Sequence, residues 1–162
     1  MRNDFIKMIA IFIASTSMPA LAELNRFEID SLKAIEADNM GEPWLLVIWS
    51  TDCPPCYLEL DMISKLKALD SDLKIVIISS DAPENRESVV RVMHSLNLDK
   101  VESWHYAASN VAALQYSIDP LWRGEIPRSY FYQLDGERCA VSGILKEKKV
   151  ISWLNDPSSN CK

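Results

Sequence analysis

The sequence has no excess of positive charge, no second CxxC pair, only two histidines and no apolar run long enough to cross a bilayer. Each of these absences bears on function. Lys and Arg number 17 against 23 Asp and Glu, a formal charge of −6, so the chain lacks the positive surface that nucleic acid or anionic lipid attracts. A structural zinc ion ordinarily takes four ligands. Here His94 and His105 stand far in sequence from the cysteine pair and from each other, which argues against a zinc clamp. The N-terminal apolar run MIAIFIAS falls well short of the ~20 residues of a membrane span. There are no internal repeats and no low-complexity tracts. A chain of 162 residues that is 48% hydrophobic suffices for one domain with its own core. Its four cysteines are therefore not needed to staple a core too small to stand alone.

What is present begins with a targeting pattern. A short charged leader, MRNDFIK, precedes the apolar run, and Ala20-Leu21-Ala22 follows as a small-x-small cleavage site. The pattern predicts a secretory signal peptide over 1–22, cleaved after Ala22, and a single domain over 23–162. A retained amphipathic anchor is the alternative, and Lys7 within the leader weighs against it. No cysteine lies near the cleavage point for lipid attachment. Cys53, Cys56, Cys139 and Cys161 all survive cleavage, in a compartment where disulfides persist.

Past a lead-in with a short helix over 27–38, WLLVIW (44–49) is a continuous apolar run suited to a buried strand. From Tyr57 the spacing becomes helical, with Leu58, Met62, Ile63, Leu66 and Leu69 on one face and Glu59, Asp61, Lys65 and Lys67 elsewhere. LKIVIIS (73–79) reads as a second buried strand, so the segment is a βαβ unit with a right-handed crossover. Asp81 is a candidate cap for a helix over about 84–97 with Val89, Val90, Met93 and Leu96 inward. WHYAA (104–108) reads as a strand and 110–118 as a helix. RSYFYQL, the turn Asp135-Gly136 and RCAVSGI form a hairpin. A last helix over 145–154 carries Val150, Ile151 and Leu154. The expectation is an α/β fold, a mixed central sheet flanked by helices.

The chemistry-bearing stretch is VIWSTDCPPCY (47–57). Cys53 falls where the first buried strand ends and a helix begins. Free N–H groups and the helix dipole there favour a thiolate. Cys56, one turn later, is placed to attack a mixed disulfide on Cys53. Pro54 and Pro55 fit the first helical turn but leave the Cys56 N–H as the main local donor, and Asp52 adds a negative neighbour. Both features lean toward a reducing pair. Two thiolates could instead hold Cu(I), and a purely structural disulfide is a further alternative.

PWLLVIWSTDCPPCYLELDMISKL, followed by GEIPRSYFYQLDGE, resembles the thioredoxin superfamily, and more closely its secreted TlpA, ResA and DsbE-like thiol–disulfide oxidoreductases. The resemblance spans roughly 30–154. It implies a thioredoxin-like fold, Cys53 as attacking and Cys56 as resolving cysteine, and Pro127 as a cis-proline. It also implies that the backbone of Ile126 pairs with a bound substrate chain by β-augmentation. It implies no cofactor and no metal, a periplasmic reductase of cysteine-containing exported proteins, and re-reduction by a membrane electron donor. Cytochrome c maturation and copper-protein cysteine reduction are candidate duties. A disulfide oxidase or isomerase and a Cu(I)-binding module are the alternatives, and a monomer is the default. Three positions depart from the family: Asp52 where Trp is usual, Val47 where thioredoxin buries an acid, and Arg128 where a small hydroxyl residue is common. Val47 leaves no evident buried proton acceptor for Cys56, and Arg128 reads as a solvated loop charge.

Cys139 on the last strand and Cys161 near the C-terminus form a candidate structural disulfide, since the tail beyond Asn155 can reach roughly 20 Å. Trp49 and Trp122 read as core or wall near the site. His94 and His105 read as ordinary core or surface histidines.

Overall fold

The computed structural model describes residues 24–157. Along this range run β1 (Asn25–Phe27), α1 (Ser31–Asp38), β2 (Trp44–Trp49), α2 (Pro54–Leu69), β3 (Ile75–Ser79), α3 (Arg86–Ser95), β4 (Glu102–Tyr106), α4 (Val111–Ile118), β5 (Arg128–Tyr132), β6 (Arg138–Ser142) and α5 (Glu147–Asn155). The expected leader over 1–22 and Cys161 lie outside the described residues.

The strands form one sheet in the order β1-β4-β3-β2-β5-β6. β1, β4, β3 and β2 run parallel, while β5 and β6 are antiparallel to their neighbours. This is the expected α/β architecture with a mixed sheet. β2 lies between β3 and β5 and is buried at every residue, which is why its sequence is an unbroken apolar run rather than an alternating one. Its side chains alternate between the two faces. Leu45, Val47 and Trp49 join Cys56, Leu60, Ile63, Val150 and Trp153. Trp44, Leu46 and Ile48 join Phe27, Ile35, Leu114 and Tyr130 on the other side.

Three expectations about the elements need correction. Asn25–Phe27, read as lead-in, is an edge strand paired with β4 through Trp104–Tyr106. On α2 the buried residues are Cys56, Glu59, Leu60, Ile63 and Leu66, so the inward face is rotated from the one expected. Leu58 and Leu69 are 65% and 84% exposed. Val90, expected inward, also faces solvent, as does Ile151 on the last helix, whereas Trp153 is fully buried against Phe131. The correct α2 face gives a first test. Ile63 has no exposed surface, so Ile63→Ala is expected to lose about 2–5 kcal/mol of unfolding free energy in a urea titration. Leu69→Ala should lose less than about 0.5 kcal/mol.

Candidate active site

Cys53 is the N-cap of α2, and Pro54 and Pro55 occupy the first helical positions. Proline is tolerated there because its missing N–H has no intrahelical partner to lose. Cys53 and Cys56 are joined in a disulfide with a Cα–Cα separation of 5.3 Å. Cys53 is 6% exposed and Cys56 fully buried, so only the first cysteine offers an edge to solvent. The Cys56 N–H, expected to be the donor left for the Cys53 sulfur, donates instead to the Cys53 carbonyl at 2.9 Å. Trp49 packs edge-on against Tyr57 with centroids 6.1 Å apart, and Tyr57 Oη donates to the Thr51 carbonyl. Trp49 is therefore a wall beneath the pair.

β5 begins beside the end of β2, since Ile48 pairs with Arg128. That register brings the Ile126–Pro127 segment to the end of the sheet where α2 starts. The Ile126–Pro127 peptide bond is cis. Hydrogen bonds pin the residues around it: Trp122 Nε1 donates to the Glu125 carbonyl and Gly143 N to the Pro127 carbonyl. Among the described residues none engages the Ile126 backbone, which leaves its N–H and carbonyl available to an incoming chain.

Arg128 is not the solvated charge expected. Its side chain is only 12% exposed. It donates to Asp119 at 3.0 Å, Glu125 at 3.2 Å and Ser142 at 2.6 Å and lies over the Tyr130 ring. Burial opposes the Asp119 charge, but the Leu121 N–H, the Tyr130 hydroxyl and Arg128 together hold its carboxyl below the usual aspartate range. Arg128 thus ties the segment before Pro127 to the end of β6. Arg128→Ala, which takes the cation from Asp119 and Glu125 while each keeps other donors, is expected to cost about 1–3 kcal/mol in urea unfolding. It should also expose the 119–127 segment to limited proteolysis.

Two buried acids lie near the pair in roles the sequence did not indicate. Glu59 lies three residues beyond Cys56, on the same face of α2, and is completely buried. Its Oε1 accepts from Ser129 Oγ at 2.7 Å and its Oε2 from Leu145 N at 2.8 Å. Burial pushes its carboxyl above the usual glutamate range, with these two bonds pulling the other way. Ser129 is the β5 residue opposite Val47. A buried acid is thus present, delivered by the helix rather than by β2. Asp81 is not the helix cap expected. At 4% exposure it accepts hydrogen bonds from Ser50, Thr51 and Ser79.

The remaining candidates are less central. Cys139 lies on β6 opposite Phe131 and is not a free thiol; Cys161 lies outside the described residues. His94 is exposed and 3.0 Å from Asp99. His105 is buried, with Nδ1 3.1 Å from Ser79 Oγ, and burial holds it below the usual histidine pKa. Trp122 is 7% exposed. Among the described residues no group of three or more His, Cys, Asp or Glu side chains is arranged to hold a metal ion.

Comparison with known proteins shows the fold. No family model matches the chain and no curated protein matches its sequence. Solved structures do match. A secreted disulfide oxidoreductase of Mycobacterium tuberculosis, homologous to Escherichia coli DsbE, superposes with a TM-score of 0.59 at 20% identity, over 74% of this chain and 84% of that one. A putative thiol:disulfide interchange protein DsbE from Chlorobium tepidum gives a TM-score of 0.58 at 11% identity, over 74% and 82%. StoA from Bacillus subtilis gives 0.55 at 20% identity, over 73% and 86%. The chain has the thioredoxin-like fold of these structures.

Proposed function

We propose that this chain is an exported thiol–disulfide oxidoreductase that reduces disulfides of exported proteins in the periplasm. The observation that carries the reading is a Cys53–Cys56 disulfide at the start of α2, on a fold shared with thiol–disulfide oxidoreductases. The Cys53 thiolate attacks one sulfur of a client disulfide, forming a mixed disulfide and releasing the other client sulfur as a thiolate that takes up a proton. Cys56 then loses its proton and attacks the Cys53 sulfur. The mixed disulfide breaks, the second client thiolate leaves and is protonated, and Cys53–Cys56 is oxidised. Two electrons and two protons have passed to the client.

The surrounding residues fit this cycle. The free backbone of Ile126, next to Pro127, pairs with the extended client chain. Glu59, one turn beyond Cys56 on the buried face, receives the Cys56 proton. A membrane electron donor restores the dithiol. The clients are exported proteins whose cysteines must stay reduced, such as apocytochromes before haem attachment or copper-binding proteins. A Cys139–Cys161 bond pins the C-terminal tail to β6. The chain acts as a monomer.

The test is the redox equilibrium of the pair against a glutathione or dithiothreitol buffer, in a Cys139→Ser/Cys161→Ser background. A potential of about −270 mV or lower supports a reductase, and one near about −120 mV makes the protein an oxidant instead. A pair that never exchanges removes the enzyme reading.

A further inference from the structure

Asp81 stands two residues past the end of β3, and its carboxylate is packed with donors. Oδ1 accepts from Ser50 Oγ and Thr51 N, both at 3.0 Å, and from Thr51 Oγ1. Oδ2 accepts from Thr51 N at 3.0 Å and from Ser79 Oγ at 2.7 Å. Every one of these donors is neutral. Among the described residues no Lys or Arg side chain is ion-paired with Asp81. Behind Ser79 lies His105, kept neutral by its burial. The hydrogen bonds to the Asp81 carboxylate thus all come from neutral dipoles, while the Arg86 guanidinium, which donates to the Leu24 carbonyl, acts with Asp81 on the field at His105.

The residues it grips carry the nucleophile. Ser50 and Thr51 lead through Asp52 into Cys53, and Cys53 N folds back onto the Ser50 carbonyl at 3.1 Å. One tight turn therefore has Asp81 on one side and the reactive sulfur on the other. The second anchor of that turn is Tyr57, through the Thr51 carbonyl.

We propose that Asp81 is a positioning residue for Cys53, clamping the turn that presents it and setting the pair toward the reducing side through its negative charge. A thiolate exists only in the reduced pair. A fixed negative charge nearby raises the free energy of that thiolate and leaves the disulfide untouched, so the dithiol gives up electrons more readily. Two unit charges roughly 10 Å apart, at an effective dielectric constant of about 20, shift an ionisation equilibrium by about tenfold. Asp52 has the same sign but is exposed, and solvent screens it. Asp81 is the stronger lever.

The inference rests on the redox reading of Cys53–Cys56 and is tested in the same Cys139→Ser/Cys161→Ser background. Cys53 ionisation is followed by thiolate absorbance and by alkylation rate against pH. Asp81→Asn is expected to raise the Cys53 ionisation constant about tenfold. Measured above the Cys53 pKa, the equilibrium with glutathione should move about tenfold toward the dithiol. Ser79→Ala and Thr51→Val each remove a donor dipole and keep the charge, so both should move Cys53 ionisation the opposite way. A clamp without an electrostatic role would lower the melting temperature and shift all three variants alike or not at all, and that result overturns the proposal. Should Asp81→Asn fail to fold, the sign of the two hydroxyl variants decides alone. A wild-type pair that does not exchange with glutathione sinks the redox reading; a pair that exchanges but ignores Asp81→Asn sinks only this inference.

Discussion

Cys56→Ser is expected to stop the reaction halfway. Cys53 is the cysteine with an exposed edge, and Cys56 lies behind it with no accessible surface. In the proposed mechanism a client disulfide therefore meets Cys53, and Cys56 is the thiol of this chain that releases it. Incubated with an oxidised client, reduced Cys56→Ser should accumulate one equivalent of mixed disulfide, visible as a mass shift that dithiothreitol reverses. Cys53→Ser should form no such adduct, and its turnover should fall to the background rate of buffer thiols. An adduct on Cys56 in the Cys53→Ser protein would reverse the assignment of roles. Because Cys56 is also core, Cys56→Ser buries a hydroxyl among Leu60, Ile63 and Trp49 and should unfold at lower urea, by about 1–3 kcal/mol.

The second large effect is expected at Glu59. Its carboxyl is buried, and burial raises its pKa in the folded protein. The fold thus favours the protonated form. The associated stability is fully present below the ordinary glutamate pKa and is lost as pH rises through the raised value. Wild-type unfolding free energy should therefore decline over that window, and Glu59→Gln should remove the decline. At pH 8 the variant should be the more stable protein. The amide is accommodated if its oxygen accepts from Leu145 N and its NH₂ faces Ser129 Oγ, whose hydroxyl can turn to accept. In the proposed mechanism the same change removes the proton acceptor for Cys56, so release of a preformed mixed disulfide should slow by about a hundredfold. Attack by Cys53 should change little. A variant that is both less stable at pH 8 and unaltered in release would leave Glu59 as a packing residue.

Much of the sheet was legible because its strands are buried on both faces. WLLVIW and KIVIIS have no polar alternation to confuse them, and Asp135-Gly136 marks the hairpin. β1 was not legible: three residues paired with β4, nearly eighty positions away, leave no local pattern. The face of α2 was misread because Leu58 and Leu69 are apolar yet exposed, while the charged Glu59 is buried. Nothing near Glu59 in sequence announces this. Its partners, Ser129 and Leu145, are 70 and 86 residues away, brought in by the pairing of β5 with β2 and by the entry to α5. Asp81 misled in the same way, since a cap and a tertiary anchor use the same residue type. The Cys53–Cys56 pair was visible from its spacing, although spacing alone left Cu(I) binding and a structural disulfide open beside a redox dithiol. The buried acids Glu59 and Asp81 were not, because their partners are brought to them by the fold.

The position of β2 has a consequence for protection against exchange. A strand flanked on both sides by paired neighbours, and buried on both faces, gives up its amide protons only when the whole domain opens. Its amides from Leu45 to Trp49 should be the slowest in the molecule to take up deuterium. The dithiol hangs from the end of this strand, so the reactive turn is tethered to the part of the protein that opens least. In the reduced protein, bulky thiol reagents should mark Cys53 promptly. They should reach Cys56 only at the rate of global unfolding, which makes the second cysteine a chemical clock for the stability of the whole domain.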